Sequence, residues 1–174
     1  MGLIMLIYDP AQDPSNYVFR LLRLMNQLTH TEVELDKYRI IDFYLMFPSA
    51  LASMRLPDIP ALKGVRQQVK SEENRYNAIR NPRLHFMKVE NLQLATVRHL
   101  VSIGILDADA FEHRLLKRTT TPLGVELDQR LTAAMKTADP ISRVLLNIIS
   151  TVQLLGKDGL KARSKLMEHK YDTE

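Results

Sequence analysis

The sequence predicts a mainly α, compact multi-helix domain, winged-helix-like if its short apolar runs form one or two short strands. Three observations lead there. Apolar residues recur at steps of three and four through most of the chain, the spacing that gathers them on one face of a helix. A capping residue followed by proline stands at 13–14, 121–122 and 139–140; such a side chain accepts from the first free amides, and proline at the first helical position forfeits no bond. Hydrophobic residues make up 45% of the 174 and charged residues 25%, a balance that fills a core and covers it with charge.

The chain opens with the apolar run GLIMLIY at 2–8, too short for periodicity to choose between a strand and an arm laid across the core. Asp13-Pro14 then starts a helix predicted to reach 28. Val18, Leu21, Leu22, Met25 and Leu28 form its apolar stripe, and Asn16, Arg20, Arg23 and Gln27 a polar stripe beside it. After the polar connection THTEVE, Asp36 is the expected N-cap of a second helix, KYRIIDFYLMFP, which Pro48 ends. A turn or two more fits 49–55 before Pro57 and Pro60. Residues 62–88 are polar, basic and weakly periodic; they predict one exposed helix, a loop through Asn81-Pro82 and a short extended piece at 84–87.

From 89 to 103 the helical pattern returns, with Gly104 placed as its C-cap and Ile105 folding back. Asp109 and Glu112 have capping-box spacing for a helix over 110–118. Thr121-Pro122 predicts a helix to 136. Asp139-Pro140 predicts the most apolar one, ISRVLLNIISTVQLL, expected to be central and to end at Gly156. A last helix is expected over 159–170. The organisation that follows is a single helical domain over 1–174, with an N-terminal half (1–60), a basic connecting segment (61–88) and a C-terminal helical half (89–174).

Asp42 is the residue that most constrains the fold, because it lies inside the apolar run of Ile40, Ile41, Phe43, Tyr44, Leu45, Met46 and Phe47. A buried carboxylate without a partner costs several kcal/mol, so a cation must meet it. Arg39, three residues back, and Arg20 and Arg23 on the preceding helix are the candidates for a structural ion pair. The net charge of +4 is unevenly spread: residues 61–100 hold eight Lys/Arg against three Asp/Glu, and 1–60 five against seven. Lys63, Arg66, Lys70, Arg75, Arg80, Arg83 and Lys88 are therefore candidates for contact with DNA or an acidic partner; the alternative for such a run is a solvated face.

No catalytic constellation stands out. The chain has no cysteine, which removes disulfides, thiol nucleophiles and Cys-based metal sites and fits a reducing cytoplasm. It has no Gly-rich phosphate loop, HExxH or GxSxG. His30-Thr31-Glu32 spells half of a zinc deaminase signature whose other half needs cysteines. Asp109 and His113, one helical turn apart, are the nearest approach to a ligand pair, and a first-turn acid beside a surface histidine explains them more simply. Asp42 could serve as a base only in a pocket that also gathers histidines. The expectation is a cytoplasmic protein that is not an enzyme and carries no cofactor or metal, with no signal peptide at MGLIMLIYDP and no run long enough to cross a membrane.

The combination YDPAQDP, RLLRL, KYRIIDFYLMFP and HLVSIGIL resembles the middle components of bacterial ABC-three-component systems, closely in the first half of the chain and loosely in the second. These small proteins are encoded between an SMC-like ATPase and an effector, as in Lamassu-type defence against plasmids and phages. The resemblance implies a non-enzymatic adaptor at the ATPase heads. It would hold a nuclease-type effector inactive until DNA is engaged, with DNA reached through the complex and no membrane involved. The alternative is a winged-helix or helix-turn-helix DNA-binding protein, with 63–88 on phosphates and the 89–103 helix in a groove. Lys88, Arg98 and His99 would be its only long readers there.

Overall fold

The computed structural model describes residues 13–28, 32–58, 60–62, 64, 65, 67, 69 and 79–168. The opening run at 2–8 and four of the basic candidates, Lys63, Arg66, Lys70 and Arg75, lie outside them. Helix α1 (Pro14–Gln27) begins where its cap demands: Asp13 accepts from the Ser15 amide at 2.9 Å. It buries Tyr17, Leu21, Leu22, Leu24 and Met25, a stripe shifted slightly from the one its aliphatic residues suggested because the Tyr17 ring also turns inward.

Strand β1 (Val33–Glu34) leads directly into helix α2 (Leu35–Met46). The N-cap is Glu34, so Asp36 lies in the first turn and does not cap it; pairing of β1 holds Glu34 in the extended conformation a cap needs. From Leu35 to Tyr44 every residue except Asp36 is buried, because α2 packs against α1 and three later helices at once. A helix enclosed on all sides has no polar stripe. Its weak periodicity and the confinement of Asp42 share that cause. The chain then turns through two 3-10 segments, Pro48–Ser53 and Pro60–Leu62.

Helix α3 (Pro82–Ser102) is the longest. Asn81 accepts from the Leu84 amide at 3.1 Å and Pro82 takes the first helical position. Asn81-Pro82 is thus a helix start and not a loop, and 84–87 is helical and not extended, a correction that follows from the same cap chemistry as Asp13-Pro14. The far end matches expectation. Gly104, at φ +72°, donates to Val101, and Ile105 donates to Leu100, the two bonds of a Schellman motif.

After Gly104 the chain departs from its expected elements. Helix α4 is only Ala108–Glu112, capped by Asp107 accepting from Ala110 at 2.8 Å, with Asp109 inside it. Arg114 adopts φ 58° and stops it. Residues predicted to continue the helix instead form β2 (Leu115–Leu116), antiparallel to β1 with Val33 opposite Leu116 and Glu34 opposite Leu115. No residue of α4 is buried, whereas Leu116 and Val33 are, so sheet pairing outweighs helix extension. The two strands meet from distant parts of the chain and do not form the hairpin of a wing.

Helix α5 (Val125–Lys136) starts at Gly124, not at Thr121-Pro122, because the Thr119 hydroxyl accepts from the Thr121 amide and donates to the Gly104 carbonyl, fastening that stretch to the end of α3. Helix α6 (Pro140–Thr151) opens at Asp139-Pro140 as expected but ends five residues before Gly156. It lays Ile141, Val144, Leu145 and Ile148 on α2. The central helix is therefore α2, and α6 is one of its amphipathic neighbours. Helix α7 (Leu160–Ser164) is one short turn stopped by Lys165 at φ 57°, shorter than the predicted 159–170. One contiguous apolar cluster runs from Tyr17 to Leu166.

Candidate functional site

Enclosing α2 forces its polar residues to find partners inside the protein. Asp42 is fully buried. Arg20 of α1 donates from Nε to Asp42 Oδ1 at 2.6 Å and from Nη2 to Oδ2 at 3.5 Å. Gln93 of α3 donates from Nε2 to Asp42 Oδ2 at 2.9 Å and to the Arg39 carbonyl at 3.1 Å. The Arg20 guanidinium also lies over the Tyr17 ring, 4.5 Å from its centroid, a cation–π contact. Burial opposes its charge, but the field and hydrogen bond of Asp42 outweigh that and hold its pKa above the ordinary arginine value.

Arg39 does not turn to Asp42. Its Nη2 pairs with Glu90 at 3.0 Å, its Nη1 with Asp36 at 3.5 Å and its Nε with Gln93 Oε1 at 3.4 Å, while its guanidinium covers the Phe86 ring. Asp36 in turn takes Arg114 at 2.7 Å and Lys161 at 3.6 Å. Arg23 joins neither group. Its Nε is buried with no partner among the described residues, and its charge helps hold the Asp139 carboxyl low. Of the three arginines proposed for Asp42 the structure brings one to it, and it adds Gln93. Gln93 interrupts the buried face of α3 between Val89 and Val97 at four-residue steps. That spacing was the available signal.

The result is a polar network running from Arg20 through Asp42, Gln93 and Arg39 to Glu90 and Asp36, tying α1, α2 and α3 together and reaching α7 through Lys161. Its donors are directed at its own carboxylates, the Gln93 amide oxygen and the Arg39 carbonyl. Two buried tyrosines of α2, Tyr38 beside the network's charges and Tyr44 two residues past Asp42, have hydroxyls that find no partner among the described residues. Burial pushes both phenols above their usual range, and at Tyr38 the Asp42 charge adds to it.

A separate cleft of about 700 Å³ opens between Pro57, Val152, Leu155, Lys157, Asp158 and Arg163. Asp158 is engaged by Arg55 at 3.0 Å and by Arg163 at 3.4 Å. No residue of the polar network lines it. Among the described residues no three His, Asp or Glu side chains approach closely enough to hold a metal. His113 Nδ1 lies 2.9 Å from the Asp109 backbone carbonyl, not from its carboxylate. Glu32 pairs with Lys117 at 3.0 Å.

The remaining basic candidates fall at the start of α3. Arg80, Arg83 and Lys88 are all exposed, and Arg83 comes within 3.7 Å of Glu168. The expected groove-reading stretch, 89–103, turns Val89, Gln93, Thr96, Val97 and Leu100 into the protein, leaving Arg98 and His99 outside.

Residues 6–172 match the family model described as ABC-three component (ABC-3C) system Middle Component 5. The chain belongs to that family. Middle Component 5 membership covers both halves of the sequence, including the second half where the resemblance of individual motifs was loose. No curated protein and no solved structure matches it. As a middle component of an ABC-three-component system it has partner components, an ATPase among them, and its family is of the adaptor kind. Among the described residues no helix is long and apolar enough to cross a membrane.

Proposed function

We propose that this middle component is a non-enzymatic adaptor in a Lamassu-type defence complex against plasmids and phages. It bridges the heads of an SMC-like ATPase and a nuclease-type effector, and it keeps the effector inactive until DNA engages the complex. It works in the cytoplasm as one helical domain, and DNA is met through the assembly. Membership of the Middle Component 5 family over residues 6–172 is the observation that carries this proposal. The polar centre supports it. Arg20, Asp42, Gln93 and Arg39 are spent on one another, which suits a fastener between helices better than a group waiting for substrate.

The test is co-expression of the tagged protein with the products of the two genes that flank its own. Recovery of both in one complex is the expected result. Effector activity should then be low until DNA is added and should rise when the middle component is omitted. Failure to recover either neighbour would end the adaptor proposal, and constant effector activity with and without the middle component would end the inhibitory part of it.

A further inference from the structure

Helix α3 buries one side and leaves the other largely uncovered by the described residues. Phe86, Val89, Gln93, Val97 and Leu100 face the core. Arg83, Leu84, Met87, Lys88, Asn91, Ala95 and Arg98 are exposed, and at 3.6 residues per turn they share an arc of about 140°. Leu84 is 45% and Met87 59% exposed, two of the few large apolar side chains to be so. Scattered single apolar residues on a surface are ordinary; two on adjacent turns of one face, flanked by cations, form a patch.

The charge that α3 itself places on this face has one sign. The only acid in α3, Glu90, is turned toward Arg39 at 3.0 Å. Lys88 and Arg98 make no ion pair among the described residues, and Arg83 has only a long contact with Glu168 between two exposed side chains, a pair of little strength. Cations flanking an apolar centre are complementary to an amphipathic helix whose polar edge is acidic. Nucleic acid fits less well. Phosphates would answer the cations but gain nothing from Leu84 and Met87, which lie between them.

We propose that this face of α3 docks an acidic amphipathic helix of a partner subunit in the ABC-three-component complex. Leu84 and Met87 receive its apolar residues; Arg83, Lys88 and Arg98 receive its carboxylates. Met87 suits such a contact because its unbranched, polarizable side chain adapts to the surface it meets. The inference rests on the adaptor function proposed above and adds the surface through which it acts.

The experiment uses the full chain, co-expressed with the products of both flanking genes. Two variants alter the face, Leu84→Ser with Met87→Glu and Lys88→Glu with Arg98→Glu; Lys136→Glu, exposed on α5, is the control. Each face variant should bind one partner at least about tenfold more weakly, with an unchanged melting temperature, while the control binds as wild type does. Reversing acidic residues on the partner helix should restore binding to the Lys88→Glu, Arg98→Glu variant. If wild type assembles and both face variants assemble equally well, the docking face is wrong and the adaptor function stands. If wild type recovers no partner, the adaptor function itself fails. Loss of salt-dependent DNA binding in the charge variant, with Leu84→Ser, Met87→Glu unaffected in every assay, would assign the face to nucleic acid and overturn the inference.

Discussion

Replacing Asp42 by alanine should be the most damaging single change on the polar network. The carboxylate is fully buried and accepts from Arg20 at 2.6 and 3.5 Å and from Gln93 at 2.9 Å. Alanine removes the acceptor and leaves the Arg20 charge facing a hole. Breaking a buried pair this way costs about 3–5 kcal/mol. The Arg20 side chain keeps 15% exposure and Gln93 keeps its bond to the Arg39 carbonyl at 3.1 Å, so both survivors relax in part and the lower end, about 3 kcal/mol, applies. For a chain of this size each kcal/mol moves the midpoint by about 2–4 °C, which gives a fall of about 6–12 °C. The assay is thermal and urea unfolding followed by circular dichroism. A companion variant, Arg20→Met with Asp42→Leu, removes both charges and keeps the volume filled; it should lie close to wild type, since well-packed apolar replacements of buried pairs are often neutral or stabilising. A melt of Asp42→Ala within about 2 °C of wild type would refute the reasoning, and so would a double variant as unstable as the single one.

Gly159→Ala should destabilise by about 1–3 kcal/mol, the scale of overpacking, because a Cβ there would collide with the Leu155 carbonyl oxygen; urea unfolding measures it. Tyr44→Phe should be neutral or stabilising by up to about 1 kcal/mol, since it removes a buried hydroxyl that has no partner among the described residues. Tyr38 and Tyr44 have folded pKa values raised by burial. Their contribution is complete below the unfolded tyrosine value of about 10 and is lost as pH rises toward the folded one, so in an alkaline titration tyrosinate absorbance from these two should appear together with loss of helical signal. At Asp139, burial works against the charge, but hydrogen bonds from Ser142 and the nearby Arg23 win and the folded pKa is lowered. Its contribution is present above the ordinary carboxylate range and lost as pH falls through the folded value, so Asp139→Ala should cost about 1 kcal/mol at neutral pH and progressively less in acid.

Helix starts were legible where aspartate is followed directly by proline. Asp13-Pro14 and Asp139-Pro140 open α1 and α6 as their side chains require. Asn81-Pro82 carries the same chemistry, yet the next two turns expose Leu84 and Met87 while burying Phe86 and Val89, so the apolar residues follow no single stripe and the pattern resembles a loop. Thr121-Pro122 misleads for the opposite reason: a good local signal is overridden when Thr119 ties that stretch to Gly104. Arg20 and Arg39 could not be told apart as partners of Asp42 from spacing alone. Both lie within reach on a helical model, and the choice is made by Glu90 and Gln93 on α3, some fifty residues away. One or two short strands were expected, but their place was hidden, because β1 becomes a strand only through β2.

The position of α2 has a consequence for how the protein is made. Its surface is covered by α1 and α3, but also by α6 and α7, which leave the ribosome well after it. Until 140–164 has emerged, Ile40, Ile41, Phe43 and Tyr44 lack part of their cover, and the pairing of Val33 with Leu116 closes a long loop before it returns any stability. The cover of α2 therefore closes only once α6 and α7 have been made, and a chain cut short before α6 would present an apolar helix with buried-type charges to the cell's proteases and chaperones.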